Sequence, residues 1–322
     1  MKWPEKLGIG GCAKRRGYSW RDQARTIGQV MPASIARAVH RVGREFRHAA
    51  IRRASNPASR VGAAVRLAFG SQKVAAAYWA DIPNFGDRIS PILLKEFLRV
   101  DPVHVGKSYR GKLLGAGSVL RFAKSGDDVW GSGLLRPSPL NLEGVRIHAV
   151  RGPRTRAQVR DANVPELYGD PGILLPLIYQ PRPLTRRFAV GLVPHYVDAG
   201  LMLADDVSHF VVDMTNPDWK RVIDEICACD VIVSSSLHGI ITAEAYGVPA
   251  VWVQPSDMIY GSGFKYHDYY EGTGREAELV SWADGLSRVV GTAKAPPVLP
   301  VKPLLESARA LRDQNFNGTV FP

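Results

Sequence analysis

The sequence contains few of the residues that build disulfide or metal sites. It has three cysteines, Cys12, Cys227 and Cys229, and it has neither a C-x-x-C pair nor an H-E-x-x-H motif. These absences argue against a disulfide framework and a recognisable zinc site. Because unpaired cysteines fit a reducing compartment, we expect a cytoplasmic protein. Because the zinc motifs are missing, we expect no bound metal.

Common targeting and nucleotide-binding signals are also missing. No apolar run of about seven residues follows the early lysines, so the sequence predicts no secretory signal peptide. Gly115-x-Gly117 lacks the third glycine of a dinucleotide fingerprint and is weak evidence for one. Gly106-Lys107-Ser108 resembles the end of a phosphate loop, but residue 101 is aspartate where that loop needs glycine, which excludes a P-loop.

The positive charge is confined to one end of the chain. The net charge is +12, and residues 1–70 carry 15 Lys and Arg against three acids. The rest of the chain has 27 basic and 27 acidic residues. The high isoelectric point therefore belongs to an extension, and it does not predict nucleic-acid binding by the whole protein.

Residues 1–70 do not resemble a domain core. The apolar stripe of one basic helix would consist of Ile35, Val39, Val42, Phe46 and Ala49. Such a helix suits an anionic membrane surface, and with it a peripheral location. A disordered, solvated tail or a translated upstream region explains the same composition, and the sequence leaves these interpretations open.

The remaining sequence predicts an α/β protein built from two Rossmann-like domains. An apolar fraction of 45% over this length is enough for two cores. Patterns of buried strands alternate with helical patterns, and the proline- and arginine-rich stretch 181–187 separates two such sets. We predict a first domain over residues 73–183, a second over 186–290, and a C-terminal tether and helix over 291–322.

The stretch 230–253 gives the strongest βαβ signal. A run of β-branched residues is followed by three serines, by apolar residues at helical spacing, and then by a second apolar run. Gly247 is placed to end the helix. His238 falls in the first helical turn, at the carboxyl end of a strand, where open parallel sheets bind ligands. The residues alone leave open whether His238 is a capping or core residue or a functional one.

Polar residues follow other predicted strands. Asn84 and Asp87 come after the first strand, where they either cap the next helix or contact a ligand. Arg151 comes after a later strand, where its guanidinium is either an anion ligand or a surface group. Residues 262–270 are rich in glycine and aromatic residues and include Lys265. We predict a loop there that either binds a sugar or an anion or is an ordinary surface loop.

Four motifs carry a family resemblance. They are Asn84-Phe-Gly-Asp87, Val150-Arg151-Gly-Pro-Arg154-Thr155, Tyr168-Gly-Asp-Pro-Gly172 and Ser235-Ser-Leu-His-Gly239. In this order they resemble the polysaccharide pyruvyltransferase family, in particular the branch that modifies bacterial exopolysaccharides such as succinoglycan and xanthan. The resemblance spans roughly residues 73–290. It implies a GT-B-like architecture with the active site in the cleft between the two domains.

The resemblance also implies a reaction. Phosphoenolpyruvate would donate its three-carbon unit to two hydroxyls of one sugar, which gives a cyclic pyruvate ketal and phosphate. Phosphoenolpyruvate is then a co-substrate, and no cofactor is expected. The implied acceptor is a saccharide or a lipid-linked oligosaccharide at the inner face of the cytoplasmic membrane.

The same resemblance assigns roles to residues. By position, the donor-binding or catalytic Arg, His and Lys of the family correspond to Arg151, His238 and Lys265. We expect His238 to act as acid/base or phosphate ligand, and Leu237 and Arg154 to join the donor site.

Three further residues, Asn84, Asp87 and Asp170, are the candidates for acceptor binding. Ser236 stands where family members often carry arginine. If that arginine grips phosphate, Arg154 or Lys265 must replace it here.

Two other hypotheses fit part of the sequence. A GT-B glycosyltransferase that uses a nucleotide sugar shares the fold but needs pockets for a base and a ribose. A basic membrane adaptor built on a degenerate transferase would not need His238. Charged and polar residues at several strand ends favour an enzyme, with pyruvyl transfer ahead of glycosyl transfer.

Overall fold

The computed structural model describes residues 73–81, 83–182, 187–202 and 207–315. The strands in these ranges are β1 (Lys73–Ala76), β2 (Asp101–His104), β3 (Leu113–Leu114), β4 (Asp128–Ser132), β5 (Leu140–Asn141), β6 (Arg146–Val150), β7 (Val159–Arg160), β8 (Phe188–Val193), β9 (Phe210–Val211), β10 (Cys229–Ser234), β11 (Ala250–Val253) and β12 (Leu279–Val280). The α-helices are α1 (Phe85–Leu98), α2 (Pro153–Arg156), α3 (Trp219–Cys227), α4 (Leu237–Ala245), α5 (Phe264–Gly272), α6 (Leu286–Gly291) and α7 (Val301–Asn315). Short 3-10 helices span Leu120–Phe122, Pro171–Leu177 and Trp282–Asp284.

The first sheet holds five parallel strands in the order β2–β1–β3–β4–β6. Ala75, Val129 and Trp130 on its strands are completely buried. Near-continuous apolar strands of this kind form parallel sheets that are covered on both faces. Because the strands run in the same direction, the segments that follow β1 and β6 leave the same edge of the sheet.

The second sheet repeats this arrangement with the order β12–β11–β10–β8–β9, again all parallel. Ser234 at the end of β10 lies opposite Val193 of β8 and Trp252 of β11. The segments after these three strands therefore start side by side. The two sheets confirm the predicted α/β class with parallel strands, while the division into two domains with a cleft between them stays a prediction.

The C-terminal helix α7 packs on the first sheet. The Trp130 side chain donates its N–H to Ser307 Oγ at 3.0 Å. Leu304 belongs to the same buried apolar cluster as Trp130, Ile240 and Trp252. This cluster thus contains residues from both sheets, which explains why the described residues fall within one compact unit of the chain.

Two short strands interrupt the helical segments of the chain. Helix α2 ends at Arg156, and Val159–Arg160 then pairs with Leu140–Asn141 as a strand. Residues 279–291 form β12, a 3-10 turn and α6, since Leu279 and Val280 pair with β11.

The segment predicted as a loop at 262–270 is largely helix α5. This helix begins after Gly263, whose φ of 76° is a left-handed conformation that suits glycine. The interpretations offered for residues 1–70 lie outside the described ranges. In those ranges, no helix combines the length and the apolar character that a membrane crossing requires.

Candidate active site

The first turn of α4 lies at the carboxyl end of β10 and carries Leu237 and His238. The Ser234 hydroxyl lies 2.8 Å from the Val193 carbonyl oxygen and accepts the Ser236 N–H at 2.9 Å, so it ties this turn to the neighbouring strand. Ser236 is the N-cap residue, but its side chain makes no capping hydrogen bond. The N-terminus of α4 is therefore a favourable place for an anion.

Gly86 brings the Asn84–Asp87 motif into contact with His238. A Cβ on Gly86 would lie 2.0 Å from Nδ1 of the His238 ring, so only glycine allows the backbone of α1 to approach so closely. Asn84 caps α1, because its Oδ1 accepts the Asp87 N–H at 3.1 Å. The interpretation that Asn84 caps the helix is confirmed. The motif also lies beside His238, the predicted catalytic histidine.

Asp170 faces the other ring nitrogen of His238. Its side chain is fully buried, and its Oδ1 accepts the Gly172 N–H at 2.9 Å. Its Oδ2 lies 3.8 Å from His238 Nε2, and neither atom has a hydrogen-bond partner in the described part of the chain. Burial lowers the pKa of His238, while the negative charge of Asp170 raises it.

Arg151 lies in a buried hydrogen-bond network at the end of β6. Its side chain is fully buried, and its Nε–H donates to Asp268 Oδ2 at 2.9 Å. One Nη donates to Ser118 Oγ at 2.8 Å and the other to the Leu134 carbonyl oxygen. The surface interpretation of Arg151 is therefore wrong, and its predicted contact with the donor stays a prediction.

Asp268 joins this network to helix α5. Its Oδ1 accepts the Thr155 N–H at 2.7 Å, and its Oδ2 accepts the Thr155 hydroxyl at 2.6 Å. A Cβ on Gly152 would lie 1.7 Å from the Asp268 carbonyl oxygen, which requires glycine at that contact. Asp268 was not among the predicted site residues. Its partner Arg151 is 117 positions away, and no spacing in the sequence signals that pairing.

Lys265 is a buried cation near the start of α5. It is 9% exposed, and its Nζ lies 5.2 Å from the centroid of the Tyr266 ring. Among the described residues, its ammonium group has no hydrogen-bond partner. Its pKa is lowered to about 8, chiefly by burial and then by the charge of Arg151, against the opposing charges of Asp87 and Asp198. A desolvated ammonium group of this kind favours an anionic ligand.

Asp87 is a second group that titrates near neutrality. Burial raises its pKa to about 7, against the opposing effects of the Asn84 hydrogen bond and the Lys265 charge. The phenol of Tyr196, which follows β8, is 37% exposed. Its pKa is raised by burial and by the charge of Asp87. Lys265, Asp87 and Tyr196 thus share one electrostatic environment.

Arg154 is oriented by an ion pair at the start of α2. Its Nε–H and one Nη donate to Glu271 Oε1 at 2.8 and 2.6 Å. Its side chain is 40% exposed, so a ligand can reach it while Glu271 fixes its orientation. Compared with Lys265, Arg154 is less buried and already paired. That Lys265 or Arg154 replaces the arginine often found at position 236 in the family stays a prediction.

Two residues after β8 complete the site and were not predicted. The pKa of His195 lies well below its usual value because of burial and the charges of Lys265 and His238. Asp198 is fully buried, its Oδ1 accepts the Ser256 hydroxyl at 2.5 Å, and its Oδ2 has no partner among the described residues. Their position just after a predicted strand was the available signal.

The assembled site combines two functions in one place. Lys265 and the N-terminus of α4 attract an anion, and His238 and Asp87 are placed to exchange protons. Within the described ranges, no group of three or more His, Cys, Asp or Glu side chains is arranged to hold a metal ion. The geometry therefore fits proton-assisted chemistry on an anionic substrate.

Residues 140–257 match the family described as Polysaccharide pyruvyl transferase. The chain is 29% identical over 218 residues to "Uncharacterized protein L143" of Acanthamoeba polyphaga mimivirus, over 62% of this chain and 75% of that protein. It is 31% identical over 214 residues to "Succinoglycan biosynthesis protein ExoV" of Rhizobium meliloti (strain 1021), over 61% of this chain and 64% of that protein. The alignment thus spans less than two thirds of ExoV.

The matched segment contains several of the residues that form the site, among them Arg151, Asp170 and His238. It also contains the complete βαβ unit from β10 to β11. The resemblance noted from the four motifs is confirmed, because the chain is similar to the polysaccharide pyruvyl transferase family over this segment.

Proposed function

We propose that the protein transfers the pyruvyl group of phosphoenolpyruvate to two hydroxyls of a sugar in an exopolysaccharide or its lipid-linked precursor. The observation that carries this proposal is the environment of Lys265, a buried ammonium group without a hydrogen-bond partner among the described residues. It lies within electrostatic range of both His238 and Asp87. A donor that carries a phosphate and a carboxylate suits this combination.

The proposed reaction balances without a metal or redox partner. The methylene carbon of phosphoenolpyruvate takes up a proton and becomes a methyl group. One sugar hydroxyl forms a C–O bond to the central carbon and loses its proton. A second hydroxyl of the same sugar then forms the other C–O bond, phosphate leaves with the bonding electron pair, and the second proton goes to the medium or to phosphate.

Different residues act in the different steps of the proposed reaction. Lys265, Arg154 and the N–H groups at Leu237 and His238 neutralise and orient the phosphate and the carboxylate. His238 gives the proton to the methylene carbon. Asp87, whose pKa of about 7 lets it accept a proton near neutral pH, takes a proton from the acceptor.

Two of the predicted residues keep mainly structural duties within this proposal. Arg151 holds Asp268 and contributes positive charge to the site without exposing its side chain. Asn84 holds Asp87 by accepting its N–H. Contact of the acceptor with the inner membrane face, through residues 1–70, is a separate part of the proposal, and the described residues do not bear on it.

The first test is phosphate release from phosphoenolpyruvate with a panel of β-galactosides, glucosides and mannosides. We expect acceptor-dependent release, and we expect His238→Ala to reduce kcat by about 10²–10⁴-fold because general acid–base catalysis is lost. His209→Ala is the matched control, since His209 precedes the edge strand β9 and its one hydrogen bond within the described residues is with the Val207 carbonyl oxygen.

Two outcomes would contradict this assignment. Equal activity of the His238→Ala and wild-type proteins would remove His238 from the chemistry. Binding of a nucleotide sugar, with no phosphate release for any acceptor, would instead support the glycosyltransferase hypothesis.

The second test uses the pH dependence of kcat/KM for phosphoenolpyruvate, which reports groups of the free enzyme. Lys265 is charged below its pKa of about 8 and neutral above it, so kcat/KM should fall as the pH rises through about 8. Lys265→Arg, which stays charged, should remove this fall, and Lys265→Met should lower kcat/KM by roughly 10–100-fold at pH 7.

Lys294→Met is the control for charge removal, because Lys294 is exposed and pairs with Glu278 on the surface. A wild-type profile that stays flat between about pH 7 and 9, together with an unimpaired Lys265→Met variant, would show that Lys265 does not hold the donor.

The third test is Gly86→Ala. The added Cβ would overlap the Nδ1 edge of His238, so the ring must shift, and a shift of about 1 Å costs about 10²-fold in kcat. Gly291→Ala is the matched control, because its Cβ meets no heavy atom within 4 Å. Activity per folded protein, with thermal unfolding measured in parallel, checks this expectation. An active Gly86→Ala enzyme with a wild-type melting temperature would contradict the close contact.

A further inference from the structure

The two carboxylate oxygens of Asp170 have different surroundings, and only one of them has an evident structural role. Oδ1 accepts the Gly172 N–H and so caps the 3-10 helix Pro171–Leu177. Oδ2 is buried and has no partner among the described residues. A buried carboxylate oxygen without a partner is costly, so its retention calls for an explanation.

The atom that Oδ2 faces is equally unpartnered. His238 Nε2 lies 3.8 Å away, too far for a hydrogen bond in this conformation but near enough that a small rotation of the ring closes the gap. Nε2 is also buried and has no partner in the described ranges. A carboxylate oxygen and a ring nitrogen that lie this close together, both without partners, indicate a hydrogen bond that forms in one state of the site.

The other edge of the ring has different surroundings. Nδ1 lies against the backbone of α1, where a Cβ on Gly86 would come within 2.0 Å of it. Because residue 86 is glycine, no side chain of that residue covers this edge of the ring. The ring thus presents Nε2 to a buried carboxylate and Nδ1 to the glycine of the Asn84–Asp87 motif.

Asp170 differs from the other charged residues around His238 in its effect on the pKa of the ring. Lys265 of α5 and Arg151 after β6 both disfavour the protonated ring, and His195 after β8 also interacts with it. Of the described residues that act on its pKa, Asp170 is the one whose charge favours protonation. Without this carboxylate, burial and two cations would keep the ring neutral and unable to donate a proton.

We propose that Asp170 is a positioning residue, whose Oδ2 accepts a hydrogen bond from Nε2–H of His238 and leaves Nδ1 as the nitrogen that exchanges a proton with the substrate. The role in catalysis rests on the proposed function, whereas the hydrogen bond and the tautomer do not. This role replaces the acceptor contact expected for Asp170, because its fully buried side chain has no surface to offer a sugar.

The tautomer provides a test that needs no activity. In the full-length wild-type protein labelled with ¹⁵N-histidine, the neutral ring of His238 should carry its proton on Nε2. His238→Ala identifies the signal. A wild-type ring protonated on Nδ1 would overturn the proposal, whatever the enzyme transfers.

Asp170→Asn tests the charge with little change of shape, because its amide oxygen can still accept the Gly172 N–H. We expect the pKa of His238 to fall, and kcat to fall by at least about 100-fold with less than about a threefold change in KM for phosphoenolpyruvate. Asp170→Glu should recover part of the activity, since the longer side chain keeps the charge near Nε2.

Asp230→Asn is the control, because Asp230 is exposed at the amino-terminal half of β10 and pairs with Arg187. An unchanged pKa of His238 and an unchanged kcat in a folded Asp170→Asn protein would overturn the positioning role while pyruvyl transfer stands. If wild-type protein transfers no pyruvyl group, the ring titration and the tautomer still decide whether Asp170 holds His238.

Discussion

The buried pair of Arg151 and Asp268 is the interaction on which the geometry of the site depends. It joins the end of β6 to helix α5, and Thr155 donates two further hydrogen bonds to the same carboxylate. Breaking a buried ion pair by removing one partner costs about 3–5 kcal/mol, because the remaining charge stays desolvated. The pair therefore fixes where α5 lies, and with it the position of Lys265.

Burial then sets the chemistry of the groups that this framework holds. Desolvation lowers the pKa of His238 and Lys265 and raises that of Asp87, so each charged form is disfavoured without a partner. In the proposed function, the anionic donor supplies the missing charge for Lys265. The same low-dielectric surroundings make oriented donors more effective than they would be in water.

Much of the site could be predicted because it depends on short-range patterns. The βαβ unit from β10 to β11, the place of His238 in the first turn of α4 and the cap at Asn84 all follow from residues within a few positions of one another. The contacts that assemble the site could not be predicted. Asp268, His195 and the approach of Gly86 to His238 depend on pairings between distant segments, and helix α5 was hidden by its glycines and aromatic residues.

The central claim is that the donor binds at the N-terminus of α4, between Lys265 and His238. The most direct measurement is an experimental structure of the protein with phosphoenolpyruvate bound. The account predicts the phosphate within hydrogen-bond distance of Lys265 Nζ and the first N–H groups of α4, with the methylene carbon facing Nδ1 of His238. Phosphoenolpyruvate bound elsewhere, with this position empty or occupied by a nucleotide sugar, would contradict it.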